Sequence, residues 1–318
     1  MDYGFRVPVR GALTAPEHMS ALARHADALG FAFISSPDHV VMPAATESEY
    51  PYGGTAAFQV KTNEGEFLEE LTVLSFIAGQ TSRARLLTSV MVVPYRQPVL
   101  AAKMLATLDY LSKGRVVVGC GAGWLREEFA ALNAPPYEER GAAADEYIRV
   151  FKELWTNPHP TFEGKYVRFP ALIFEPRPVQ KPHPPIWIGG ESTVALRRVV
   201  RLGDGWYPSA GNGEVDTPER FGRRMALLRQ LPEAAGRDPA TVDVGIGTGK
   251  FNQGTAEKAA DGARAALTGS TSQIADDIRG YARAGAKHLL VRFPGETQRE
   301  LADNMERFMK EVTPLVAG

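Results

Sequence analysis

The chain has 318 residues and only one cysteine, Cys120, so it can form no internal disulfide and no cysteine-rich zinc site. Neither sign of charge is in excess. Its 36 Lys and Arg stand against 37 Asp and Glu, and a net charge of -1 gives no long-range attraction to nucleic acid or to an acidic membrane surface. No apolar run approaches the roughly eighteen residues of a membrane span. The first residues alternate like a strand, without the charged start and apolar core of a signal peptide, so a cytoplasmic location is expected. The six histidines show no H-E-x-x-H or similar spacing, and no serine sits in a nucleophile elbow. Neither a metal nor a serine triad is expected.

What is present suits a packed globular protein: 44% hydrophobic and 23% charged residues. The stretch from Arg83 to Trp124 shows the repeating unit. Leu86 to Val93 is an apolar, β-branched run that suits a buried strand. From Pro98 to Leu111 the apolar spacing becomes helical, with Lys103 and Asp109 left for the solvent side. Val116 to Val118 is a second buried run, and glycines at 119, 121 and 123 follow it. A strand, helix, strand unit of this kind is a right-handed crossover between parallel strands.

The unit recurs along the chain. Strands near residues 3, 31, 86, 115, 186, 205, 242 and 288 alternate with helices, among them helical stretches at 255 to 267 and 272 to 284 and a last helix from Gln298 to Val312. Eight such units predict an α/β fold, a (β/α)8 barrel, with residues 1–318 as one domain; an open doubly wound sheet is the structural competitor. Residues 40 to 65 hold no period and read as a lid or binding loop. Residues 158 to 185 are proline-rich and read as an insertion with a hairpin.

A barrel carries its site on the loops after the strands. Arg6, Asp38, His39, Ser89, Val90, Tyr95, Arg96, Trp124 and Arg292 are collected there. The turn of Gly189, Gly190, Glu191, Ser192 and Thr193 offers close backbone approach and helix N-H groups for a phosphate, or is simply a tight turn. Gly121 and Gly123 clear room for a flat ring or make a turn. His39 is a general acid, a hydrogen-bond donor to a ring, or a loop cap. Arg6, Arg96 and Arg292 are candidates for an acidic substrate group. Cys120 reads as an inert core residue.

Four stretches then carry a resemblance: SPDHV from Ser36, TSVMVVPYRQPVLAAKMLATLDYLSKGRVVVGCGAGWLREEF from Thr88, FEPRPVQKPHPPIWIGG ending at Gly190, and LGDGWYP from Leu202. Together they resemble the bacterial luciferase-like monooxygenase superfamily, and most closely its deazaflavin-dependent branch. The resemblance implies a luciferase-like TIM barrel with a ring cofactor at its mouth, and usually a homodimer. It implies coenzyme F420, with FMN as the alternative, and a cis peptide at Ser89-Val90 behind the ring. Asp38 and His39 would face that ring, and Gly189 to Thr193 would take the cofactor phosphate. Sugar-phosphate dehydrogenases of the branch place a glutamate after the glycine run where this chain has Trp124, so an apolar or aromatic substrate fits better. The expected activity is hydride transfer between F420 and a small organic substrate touching Arg6, Tyr95, Trp124 and Arg292. An FMN-dependent monooxygenase using oxygen and a non-catalytic flavin-binding protein are the alternatives.

Overall fold

The computed structural model describes residues 1–50, 66–211, 213–231, 238, 241–259 and 261–317. The main elements run β1 (Asp2–Arg6), α1 (Pro16–Leu29), β2 (Phe33–Ser36), α2 (Glu70–Ala78), β3 (Arg85–Thr88), α3 (Pro98–Leu111), β4 (Val116–Gly121), α4 (Arg126–Ala131), α5 (Arg140–Thr156) and β5 (Ile186–Gly189). They continue with α6 (Thr193–Leu202), β6 (Gly205–Tyr207), α7 (Pro218–Gln230), β7 (Asp243–Gly247), α8 (Thr271–Ala284), β8 (His288–Val291) and α9 (Gln298–Arg307). Each strand pairs in parallel with its neighbours. The β1–β8 and β3–β4 pairings close the ring, which excludes the open sheet. The helix ends follow from local chemistry: Pro16 opens α1 and Gly30 ends it at φ 85, while Ser270 and Gln273 form a capping box on α8.

Alternation of side chains sorts the barrel interior into layers. The floor holds Asp243 and His288, whose carboxylate and Nε2 lie 3.0 Å apart. Above it Phe33, Leu87, Val117, Trp187, Tyr207 and Leu290 form an apolar plug, separate from the larger core between barrel and helices. Two residues further along their strands, the rim above the plug receives Ser35 from β2, Gly189 from β5 and Arg292 after β8, and Arg6 belongs to the same layer. Its inward direction follows from Gly4, where a Cβ would meet the side chains of Leu290 at 2.8 Å and Phe33 at 3.1 Å.

Several expectations are corrected. The Leu86 to Val93 run is two pieces, β3 and a short strand Met91–Val92, separated by a cis Ser89-Val90 peptide. Among the described residues from 255 to 267 there is no α-helix: Gly254, Gly262 and Leu267 have φ of 115, 83 and 64, which a right-handed helix cannot hold. Arg264 grips Asp277 of α8 there instead, at 2.7 and 2.9 Å. Asp109 is fully buried rather than solvent-facing, because it accepts from the backbone N-H and side-chain amide of Gln180 and so fastens the proline-rich insertion to α3. That insertion contains the hairpin Phe162–Glu163 with Arg168–Phe169. The helix expected over Gln298 to Val312 is α-helical over Gln298–Arg307, passes into a π turn, Phe308–Val312, and resumes as a short α-helix, Thr313–Ala317. Among the described residues no helix is long and apolar enough to cross a membrane, and no group of three or more His, Cys, Asp or Glu side chains is placed to hold a metal.

Candidate functional site

The loop after β2 sends Asp38 and His39 in different directions. His39 Nδ1 lies 2.7 Å from Glu128 Oε2, while the other oxygen of Glu128 accepts from the N-H groups of Val40 at 2.7 Å and Val41 at 3.1 Å. Glu128 is fully buried on α4. With the Glu128 carboxylate accepting, Nδ1 is the donor, and Nε2 is left without a partner among the described residues. Nothing in the spacing of the sequence points from residue 128 to residue 39. The only available signal is that α4 begins directly behind the glycine run.

Asp38 is taken up by Arg96 in a bidentate pair, both contacts 2.8 Å, and by the Val92 N-H at 2.8 Å. Arg96 also donates to Glu69. This corrects the reading of Arg96 as an anion binder. Burial pulls its pKa down, but the hydrogen bonds and charge of Asp38 outweigh that and raise it. Glu70 sits behind the same cluster, fully buried, with one oxygen accepting from the Ser89 N-H at 3.0 Å and the other unpartnered. Burial first, and the charge of Asp38 second, push its pKa well up. Tyr95 is buried in a small cluster with Val92 and Phe129. Its hydroxyl is pushed well above the ordinary range by burial and by the nearby Glu128.

The glycines have a packing reason. A Cβ on Gly121 would lie 2.7 Å from Val90 Cγ2, one on Gly189 3.1 Å from Val90 Cγ1, and one on Gly119 2.0 Å from the Thr88 carbonyl oxygen. They accommodate the half-buried Ser89-Val90 segment, whose Ser89 Oγ lies 3.0 Å from the Tyr207 hydroxyl. Gly123 has φ 86, and a Cβ there would strike Phe129 at 2.6 Å. Cys120 is buried, and burial pushes its thiol up, which makes it unreactive.

Across the barrel, Gly190 has φ 98 and its carbonyl accepts from the Trp206 indole at 2.9 Å, which fixes the turn. Ser192 caps α6 through the Ala195 N-H at 3.2 Å. Helix geometry then leaves the Thr193 and Val194 N-H groups with no intrahelical acceptor. The Glu191 carboxylate is held by the Ser209 N-H at 2.7 Å. A Cβ on Gly190 would crowd Ala195 at 3.2 Å. These groups fit a phosphate.

Over the mouth, aromatic rings form a wall. His39 meets Phe67 at 4.9 Å and Trp124 at 6.0 Å, and Trp124 meets Tyr50 at 5.0 Å, all edge to face. Arg10 lies over Phe67 at 5.7 Å. Trp206, by contrast, is fully buried and stacks on Phe221. Arg10 and Phe67 were not legible as site residues, since neither belongs to a motif.

Comparison with known proteins places the chain in a family. The profile of the family described as luciferase-like monooxygenase matches residues 4–311. An uncharacterized protein of Mycobacterium tuberculosis is 32% identical over 263 residues, 82% of this chain and 90% of that protein. The FMNH2-dependent dimethylsulfone monooxygenase of Pseudomonas putida is 35% identical over 146 residues, 45% of this chain and 40% of that one. Among solved structures, a monooxygenase from Streptomyces bottropensis superposes with a TM-score of 0.75 at 25% identity, covering 99% of both chains. An F420-dependent secondary alcohol dehydrogenase superposes with a TM-score of 0.76 at 16% identity, covering 99% of this chain and 98% of that one, a likeness of fold. With a family match from residue 4 to residue 311 and a closed eight-stranded parallel barrel, the chain belongs to the luciferase-like monooxygenase family of enzymes.

Proposed function

We propose that the protein is a reduced-FMN-dependent monooxygenase acting on a small organic substrate. The observation that carries this reading is the pairing of His39 with Glu128 at 2.7 Å, which leaves Nε2 toward an aromatic mouth whose far side offers a phosphate-sized cradle. The names of the relatives favour the same chemistry: the Pseudomonas enzyme uses FMNH2, and the 25% identical structure is a monooxygenase. Hydride transfer from coenzyme F420 is the competing reading, and its structural support comes at 16% and 18% identity.

Reduced FMN, when bound, supplies two electrons for the cleavage of molecular oxygen, one atom going to the substrate and the other to water. Gly189, Gly190, Ser192 and Thr193 would hold its phosphate. His39 Nε2 gives a proton to, or takes one from, the reacting oxygen, and Glu128 holds the ring in the orientation that allows it. The wall of Phe67, Trp124 and Tyr50 excludes water from that exchange. The test is incubation with reduced FMN, labelled oxygen and a panel of small sulfones and organic acids, followed by mass spectrometry. The reading predicts a product carrying one labelled oxygen atom. Anaerobic turnover with reduced F420 and no labelled product would replace it with the hydride reading.

Assembly as a homodimer belongs to the same proposal. Leu100, Tyr110 and Leu111 of α3 expose apolar surface that a second copy could cover, being 57%, 57% and 69% exposed. A monomer in light scattering at assay concentration removes this part alone.

A further inference from the structure

Arg6 ends β1 and Arg292 follows β8, and the β1–β8 register pairs Phe5 with Val291, which places the two arginines side by side on neighbouring strands. Phe5 and Val291 are buried in the outer core, so by alternation Arg6 and Arg292 face the barrel mouth. Arg10 joins them from the loop after β1. Among the described residues no carboxylate pairs with any of the three, whereas most other charged side chains near the mouth, such as Arg96, Asp38 and Glu128, are fully engaged. The pKa values of Arg10 and Arg292 are lowered, by burial first and then by neighbouring arginine charge. Although the barrel wall crowds Arg292, part of its side chain is exposed at the surface, so an incoming group can reach it.

Two further features define what would bind. In the ring of strands β1 and β5 stand four steps apart, so the arginines occupy the rim opposite the Gly189–Thr193 cradle and do not compete with it for one phosphate. Arg10 also rests on the Phe67 ring, whose neighbour is His39. An occupant gripped by the arginines therefore lies along an aromatic surface and reaches Nε2 of His39.

We infer that the substrate is an organic acid with an apolar or aromatic body, its carboxylate or sulfonate held by Arg6 and Arg292 with Arg10 behind them, and its body lying against Phe67 and Trp124. This rests on the proposed function for the identity of the site and adds the class of substrate. Guanidinium groups suit it because their paired N-H donors match the two oxygens of a carboxylate or sulfonate.

The test is calorimetric titration of the full chain with benzoate and benzenesulfonate, and with their neutral counterparts benzamide and benzenesulfonamide. Wild-type protein should bind the anions about tenfold more tightly than the amides, a difference of about 1.4 kcal/mol. R6M/R292M should lose that preference, the single variant R292M at a solvent-exposed position should lose part of it, and R6K/R292K should keep part. FMN affinity should be unchanged in all three variants and reduced in G190V. Equal binding of anions and amides, or a preference that survives both R292M and R6M/R292M, overturns the inference. A selective loss of FMN affinity in R6M/R292M also overturns it, because the arginines would then serve the cofactor. Failure of FMN to bind wild-type protein would instead count against the proposed function, and the anion preference is read without FMN.

Discussion

The molecule holds two arginine clusters within one barrel mouth, and they are opposites. Arg96 is nearly buried, forms a bidentate pair with Asp38, donates to Glu69 and lies by the buried Glu70, whose pKa is raised. Arg6, Arg10 and Arg292 face the opening with no acidic partner among the described residues. The first cluster is complete, and its work is to hold the Asp38–His39 loop against the Met91–Val92 strand. The second is incomplete, which is what a binding site for an anion requires. The same residue type thus serves the fold in one place and a ligand in the other, and the difference lies in whether the fold supplies the counter-charge.

The largest effect should come from breaking the complete cluster. R96L leaves Asp38 buried without its cation and should cost about 3–5 kcal/mol of stability by chemical denaturation. R6M/R292M should cost little or nothing in the same experiment, since it relieves repulsion. Equal losses in the two variants would erase the comparison. Next comes the histidine that stands between the clusters. H39A should lower turnover by about 10²-fold while leaving FMN affinity nearly unchanged. E128Q should lower turnover and alter its pH profile, because Glu128 acts only by orienting the imidazole. A loss of FMN affinity as large as the loss of turnover would give His39 a structural role instead.

A smaller effect is expected at the cradle. G190V adds a branched side chain where φ is 98 and Ala195 stands 3.2 Å from the new Cβ. It should weaken FMN binding, checked by fluorescence titration, and unchanged affinity would remove the cradle from the account. The smallest effect concerns Glu70. Its folded pKa is raised above the unfolded value of about 4.3. Its contribution to stability is therefore full below that value and is lost as pH rises through the folded pKa. Wild-type protein should lose stability relative to E70Q as pH rises from about 4, measured by chemical denaturation of both proteins across pH. Parallel stability curves would show that Glu70 ionises freely.

Much of the frame was legible in the sequence because the periodicity was strong. The helices α1 and α3 and the strands β6 and β8 all stand where the pattern put them. The stretch from 255 to 267 misled because alternating alanines and charges imitate a helix, while the backbone at Gly254, Gly262 and Leu267 is decided by tertiary contacts such as Arg264 with Asp277. Asp109 looked solvent-facing because its partner, Gln180, lies 71 residues away. The site was legible by position and not by pairing. His39 and the Gly189–Gly190 turn follow strands, which the pattern shows. The contacts that separate Arg96 from Arg6, and join Glu128 to His39, span 58 and 89 residues, and no local spacing encodes them.

The most direct test of the account is an anaerobic titration of the wild-type protein with reduced FMN and with reduced F420, followed by admission of oxygen in the presence of an aromatic acid. The account predicts that reduced FMN binds about tenfold or more tightly than reduced F420, and that product forms only after oxygen enters. Tighter binding of F420, with turnover complete before oxygen is admitted, would contradict it.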